Sequence, residues 1–220
     1  MQLLLIEGIP GSGKSTLAKL ICQSALDRGI DAFWYLEEAQ DHPLHPHKGT
    51  RGEISPEVFL NQWRQFIAQH SQHDHLYILE GSLFQSSVRF LLQENRETDI
   101  PDYYAECEKL LSSVESKAIY LRPSDVQQHL VWLYDHRGHS WTTKVSGYLE
   151  NTPFSADRGW LGVSGMSQFW GYYASLCDRL IRSSCLSVKT IESGTAHYDS
   201  LHQQALDWLE LSPILDKVER

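Results

Sequence analysis

The sequence predicts an α/β three-layer sandwich: a five-stranded parallel sheet with helices on both faces and a lid segment. Three observations predict it. Five short apolar runs alternate with longer stretches of helical periodicity, and strands alternating with helices pair in parallel under helical cover. A glycine-rich loop joins the first run to the first helix. The 220 residues suffice for one domain with a substantial core and are short for two. Residues 1–220 therefore read as a single domain.

Leu3-Leu4-Leu5-Ile6 is the first strand, apolar throughout as a buried parallel strand should be. Gly8-Ile9-Pro10-Gly11-Ser12-Gly13-Lys14-Ser15 follows and fits G-x-x-x-x-G-K-[ST], the Walker A or P-loop pattern. Its glycines let the backbone turn several N–H groups inward as an anion nest. Lys14 would reach the β- and γ-phosphates, and the Ser15 hydroxyl would hold Mg²⁺. Thr16 completes the nucleotide-binding candidates. Leu17, Leu20, Ile21 and Ala25 fall on one helical face, and Gly29 marks the stop. The helix N-terminus adds its positive dipole end to the nest. These features define a P-loop NTPase sandwich.

Ala32 to Leu36 is an aromatic second strand ending in Glu37-Glu38, and a loop with His42, His45 and His47 follows. Ser55-Pro56 opens a helix, as N-cap and first helical residue. Leu76 to Leu79 is the third strand and ends in Glu80-Gly81-Ser82. Helices follow over Leu83–Leu92 and Tyr103–Val114, then a fourth strand from Ala118 to Leu121 and a helix from Val126. Residues 135–165 read as irregular, rich in Gly, Arg and aromatic residues, and such a long loop suggests a mobile lid. Ser167 opens the next helix, Leu186 to Ile191 is the fifth strand, and a helix from Tyr198 to Leu211 ends the pattern.

Composition narrows the function. Nineteen Lys and Arg against 28 Asp and Glu give a net charge of −9, the wrong balance for nucleic acid or an anionic membrane. No apolar run approaches bilayer-spanning length, and no basic segment precedes the first strand as a signal peptide would require. Cys22, Cys107, Cys177 and Cys185 show no C-x-x-C spacing, which reads as a reduced, cytoplasmic protein. A homodimer is left open.

LLLIEGIPGSGKSTLA resembles the start of P-loop thymidylate kinases and deoxynucleoside kinases, and AIYLRPSDVQQHLVWLYDHRG resembles their fourth strand and the helix leading to a lid arginine. The order of elements is similar over most of the chain. The resemblance implies a kinase sheet with the second and third strands beside the P-loop strand. It also implies ATP and Mg²⁺ as cofactors and a small-molecule acceptor. Two departures bear on the acceptor. The third strand ends in Glu-Gly-Ser, not Asp-Arg or Glu-Arg-Ser, and the lid lacks a close arginine pair.

Candidate roles follow from placement. Glu80 ends a strand where ligands gather, so it would hold Mg²⁺ with Ser15, against the alternatives of a helix N-cap or solvated acid. One of Glu37 and Glu38 would take the acceptor's proton. Side-chain alternation allows that role to at most one of the pair. Arg137 and Arg158 are the lid cations that would close over the γ-phosphate. Gln85 and Arg89, one turn apart after Glu80, could face the acceptor, with an ordinary helix surface as the stronger reading, and the two histidine groups read as solvated loops in preference to a metal site. The function that results is an ATP- and Mg²⁺-dependent kinase for a nucleoside, nucleotide or similar acceptor. Its alternatives are a kinase for another metabolite or antibiotic, and a nucleotide-gated switch with no acceptor.

Overall fold

Strand β1 (Gln2–Gly8) is buried from Leu3 onward because it lies at the centre of the sheet. The computed structural model describes residues 1–39, 42–44, 54–194 and 198–211. The other strands are β2 (Ala32–Tyr35), β3 (Leu76–Glu80), β4 (Glu115–Pro123) and β5 (Ser187–Ser193). All pairs are parallel, in the order β2-β3-β1-β4-β5. The expectation that β2 and β3 both lie beside the P-loop strand holds for β3 alone, because β3 intervenes between β1 and β2.

Alternation along the strands divides the core in two. Leu4, Ile6, Ile78, Ile119 and Leu121 face α1 (Lys14–Leu26) and α8 (Tyr198–Trp208). Leu3, Leu5, Tyr77, Leu79 and Tyr120 face α2 (Pro56–His70), α3 (Arg89–Gln93), α4 (Ile100–Leu111) and α7 (Gly162–Ser183). Each fully buried Leu or Ile contributes about 1.5–3 kcal/mol. Ser55 caps α2 as expected, its hydroxyl accepting from the Val58 amide at 3.4 Å.

The region 135–165 corrects the sequence expectation. It is helical for most of its length: α5 runs over Val126–Leu149, α6 over Pro153–Ala156, and α7 starts at Gly162, ahead of Ser167. Apolar periodicity is weak here because the buried face of α5 carries Thr142 and Ser146 before Leu149. Both hydroxyls are satisfied within their own helix, Thr142 donating to Gly138 O at 3.0 Å and Ser146 to Thr143 O at 3.2 Å. Small polar residues thus pack inward without unpaired groups. Gly138, at φ 79° and ψ 171°, breaks α5 into two runs. No helix among the described residues is long and apolar enough to cross a membrane, and all four cysteines are free.

Candidate active site

The carboxyl ends of three adjacent strands meet around the P-loop. β1 delivers the loop to α1, β3 ends on Glu80, and β2 ends two residues before Glu37. Pairing Ile6 with Glu80 and Tyr35 with Leu79 levels these ends on one rim. A cavity of about 950 Å³ opens there, floored by Pro10, Gly11, Gly13, Lys14, Ser15 and Thr16. Gly8, Ile9 and Ser12 form the buried back of the loop.

Lys14 is buried and its ammonium is held from three sides. It donates to Gln85 Oε1 at 2.8 Å and to the Ile9 carbonyl at 3.4 Å, and Glu37 Oε2 lies 3.9 Å away. Gln85 and Arg89, for which an ordinary helix surface is the stronger reading of the sequence and a place facing the acceptor the weaker, both line the cavity. A π-helical turn over Phe84–Val88 precedes α3 and aims Gln85 inward. Single π-turns of this kind are rare and gather at functional sites. Arg89 returns its Nε to the Gln85 carbonyl at 2.8 Å and extends Nη2 to within 3.8 Å of Glu37 Oε1.

The acid pair separates, though not by strand alternation: β2 ends at Tyr35, and Glu37 and Glu38 lie in a turn closed by the Ala39 amide donating to Leu36 O at 3.0 Å. Glu37 is 6% exposed and lies between Lys14 and Arg89; Glu38 also borders the cavity but is exposed and makes neither ion pair. Gly81 explains the missing strand-end arginine in steric terms. A Cβ there would sit 2.8 Å from Glu37 Oε2, so glycine at this position leaves room for the Glu37 carboxylate. Gly81 also adopts φ 65°, which favours glycine.

Ser15 donates to Glu80 Oε1 at 2.6 Å. Glu80 Oε2 is buried without a hydrogen bond, although the nearby Glu37 amide favours its anion. Burial raises the Glu80 pKa, and Lys14 and Ser15 pull against that rise. A hydroxyl beside a carboxylate with a spare buried oxygen is an all-oxygen donor pair that fits Mg²⁺, whose other positions water and phosphate fill. No group of three or more His, Cys, Asp or Glu suited to a metal occurs among the described residues.

Helix α5 forms the facing wall. His129 Nε2 donates to the Pro10 carbonyl at 2.9 Å, and burial lowers the His129 pKa, consistent with a neutral ring. Trp132, His136, Arg137, Trp141, Lys144 and Tyr148 continue the wall outward. Arg158 is not brought to the site. Its guanidinium lies 3.5 Å from the centre of the Phe154 ring, donates to Phe154 O at 3.1 Å and pairs with Glu97 at 3.6 Å. Those contacts brace α6 against the segment after α3.

The histidine groups also differ from expectation. His42 is buried and accepts the Leu44 amide at 3.2 Å, while His45 and His47 lie outside the described residues. His70, His73 and His75 pack around Tyr77.

No protein-family model and no curated protein sequence matches the chain. Solved structures do. A deoxyadenosine kinase from M. mycoides is similar at a TM-score of 0.51 and 14% identity, over 95% of this chain and 99% of that one. A thymidylate kinase from Ehrlichia chaffeensis is similar at 0.51 and 8% identity, over 95% and 98%. A shikimate kinase from Acinetobacter baumannii gives 0.49 at 15% identity, over 97% and 96%. The fold is that of the P-loop kinases. Within this P-loop kinase fold, Gln85 and Arg89 are the cavity-lining residues given too little weight on sequence alone. Their signal was a glutamine and an arginine one turn apart, directly after a strand-end acid.

Proposed function

We propose that this protein is an ATP- and Mg²⁺-dependent kinase transferring the γ-phosphoryl group to a hydroxyl of a nucleoside, nucleotide or similar small acceptor. One observation carries the reading: Glu37 stands on the same cavity as the phosphate nest, between Lys14 and Arg89. A switch that only binds nucleotide has no use for a buried carboxylate beside the phosphate nest in a cavity of about 950 Å³.

The residues divide the work. The loop amides and Lys14 hold the β- and γ-phosphates. Ser15 and Glu80 would hold Mg²⁺, which supplies charge neutralisation on the phosphate oxygens. Glu37 accepts the acceptor's hydroxyl proton as the new O–P bond forms and the bond to the β-phosphate oxygen breaks. Lys14, Arg89 and Arg137 stabilise the charge on the transferred group. Phe90, Trp141, Tyr148 and Trp170 border the remaining space, and such rings suit a planar base.

The test is transfer of labelled γ-phosphate from ATP to a panel of nucleosides, nucleotides and unrelated hydroxylated metabolites. A phosphorylated nucleoside or nucleotide product supports the reading. Product formed only with another metabolite corrects the acceptor. Slow hydrolysis that no acceptor stimulates overturns the kinase assignment in favour of a switch.

A further inference from the structure

Glu7 is the one charged residue in β1, and it is 1% exposed. Removing a carboxyl group from water is costly unless hydrogen bonds replace the lost solvation. Its replacements all come from the segment after β3. The Leu83 amide donates to Oε1 at 2.6 Å, the Phe84 amide to Oε2 at 3.2 Å, and the Ser82 hydroxyl to Oε1 at 3.4 Å. These amides open the π-helical turn over Phe84–Val88, where backbone N–H groups have no partner inside the helix.

We propose that Glu7 is a positioning residue for Lys14, acting through the Leu83 and Phe84 amides and the side chain of Gln85. The path is contiguous. Glu7 fixes where the turn starts. The turn keeps its wide pitch, with the Ser86 amide reaching back to Gly81 O at 2.6 Å. That pitch aims Gln85, whose Oε1 takes a Lys14 hydrogen bond at 2.8 Å. Glu7 immediately precedes Gly8, so both supports of Lys14 originate on one rigid central strand. Burial raises the Glu7 pKa to about 8, against the opposing effects of the Leu83 amide and Lys14. An apolar side chain would fill the same volume without this cost, which argues for a role in geometry. The proposal rests on the reading that Lys14 serves phosphate.

The experiment measures acylation of Lys14 by an amine-directed reagent without ligand, with exposed Lys19 as internal reference. Wild type, Glu7→Gln, Gln85→Met and the double variant are compared. Glu7→Gln turns an amide group against a backbone N–H and should release the turn. Each single change should raise Lys14 modification at least about tenfold, the order set by one hydrogen bond to a charged group. The double variant should exceed neither single, because both cut one path. Unchanged Lys14 protection in Glu7→Gln overturns the proposal, and so do effects that multiply in the double variant. If Glu7→Gln fails to fold by circular dichroism, Glu7→Asp, which withdraws the carboxylate by one methylene, is read by the same criteria. A wild type that binds no nucleotide would refute the functional reading alone, since this measurement uses no nucleotide.

Discussion

The Ser15 hydroxyl donates to Glu80 Oε1 across 2.6 Å, joining the first turn of α1 to the end of β3. A cation seated there would take oxygens from both. Glu80→Gln keeps the shape and an acceptor oxygen but removes the charge. The Mg²⁺ titration of turnover should move at least about tenfold to higher concentration, while nucleotide affinity changes less. Burial raises the Glu80 pKa, so protons compete with the metal and the wild-type Mg²⁺ requirement should grow as pH falls. An Mg²⁺ titration unchanged by Glu80→Gln would remove Glu80 from the metal site.

Lys14→Ala should abolish most phosphoryl transfer and leave the fold intact. The side chain is held by Gln85, the Ile9 carbonyl and Glu37, outside the apolar core. Loss of a charge aimed at the transferring group costs on the order of 10²–10³ in turnover. Near-normal transfer from a variant with an unaltered circular dichroism spectrum would contradict this.

Glu37→Gln and Glu38→Gln should part company. Glu37 is buried between two cations and Glu38 is exposed. A lost general base lowers turnover about 10²- to 10⁴-fold, so that loss is expected for Glu37→Gln alone, with ATP affinity little changed. Kinetics of both variants with the true acceptor decide it. Equal activity would mean that the proton leaves by another route.

Most of the fold was legible because the apolar runs of β1, β3 and β4 and the loop at Lys14 each carry a local signal. Of the candidate site, Glu80 at the end of β3 and Glu37 just past β2 were legible by their place on the rim and do line the cavity. What escaped depends on pairing across the chain. Gln85 looks like surface until a π-turn aims it at a lysine 71 residues earlier. Glu7 fell between the predicted strand Leu3-Leu4-Leu5-Ile6 and the loop from Gly8 and was not singled out; its partners lie 75 to 77 residues away. The second run of α5 was hidden because Thr142 and Ser146 face the core with their hydroxyls bonded within the helix.

Glu7 also makes stability depend on pH. Burial raises its pKa from 4.5 to about 8, so the folded protein holds a proton that the unfolded chain releases. Stability is therefore greatest toward the acid end of that interval and falls as pH rises from about 4.5 to 8. Glu80, also raised by burial, adds a slope of the same sign. Glu7→Gln cannot titrate and should flatten the decline. Urea unfolding at several pH values across the interval measures it. An unchanged slope would mean that Glu7 is ionised in the fold.

The last prediction concerns the wall that closes the cavity. Gly138 divides α5 at a conformation that favours glycine, and a Cβ there would meet nothing within 4 Å. The first run of α5 is pinned to the P-loop by His129 and Pro10. Beyond α5, Arg158 braces α6 through Phe154 and Glu97. The segment between these anchors carries Trp141, Lys144 and Tyr148 on the cavity; it is the part expected to move, the 2.7 Å hydrogen bond from Tyr148 to Gln93 being the contact that closure would exchange. Nucleotide should therefore slow hydrogen exchange over 139–149 and leave 153–158 unchanged, narrowing the lid from 135–165 to its middle. Gly138→Ala strains the pivot without a clash, and should reduce the difference between free and bound states. Arg137→Ala should lower turnover about tenfold or more without loss of stability, whereas Arg158→Ala should destabilise the fold by about 1 kcal/mol and spare turnover per folded molecule. Equal exchange over 135–165 in both states would refute the lid, and Arg137 would then have no means of reaching the γ-phosphate by closure.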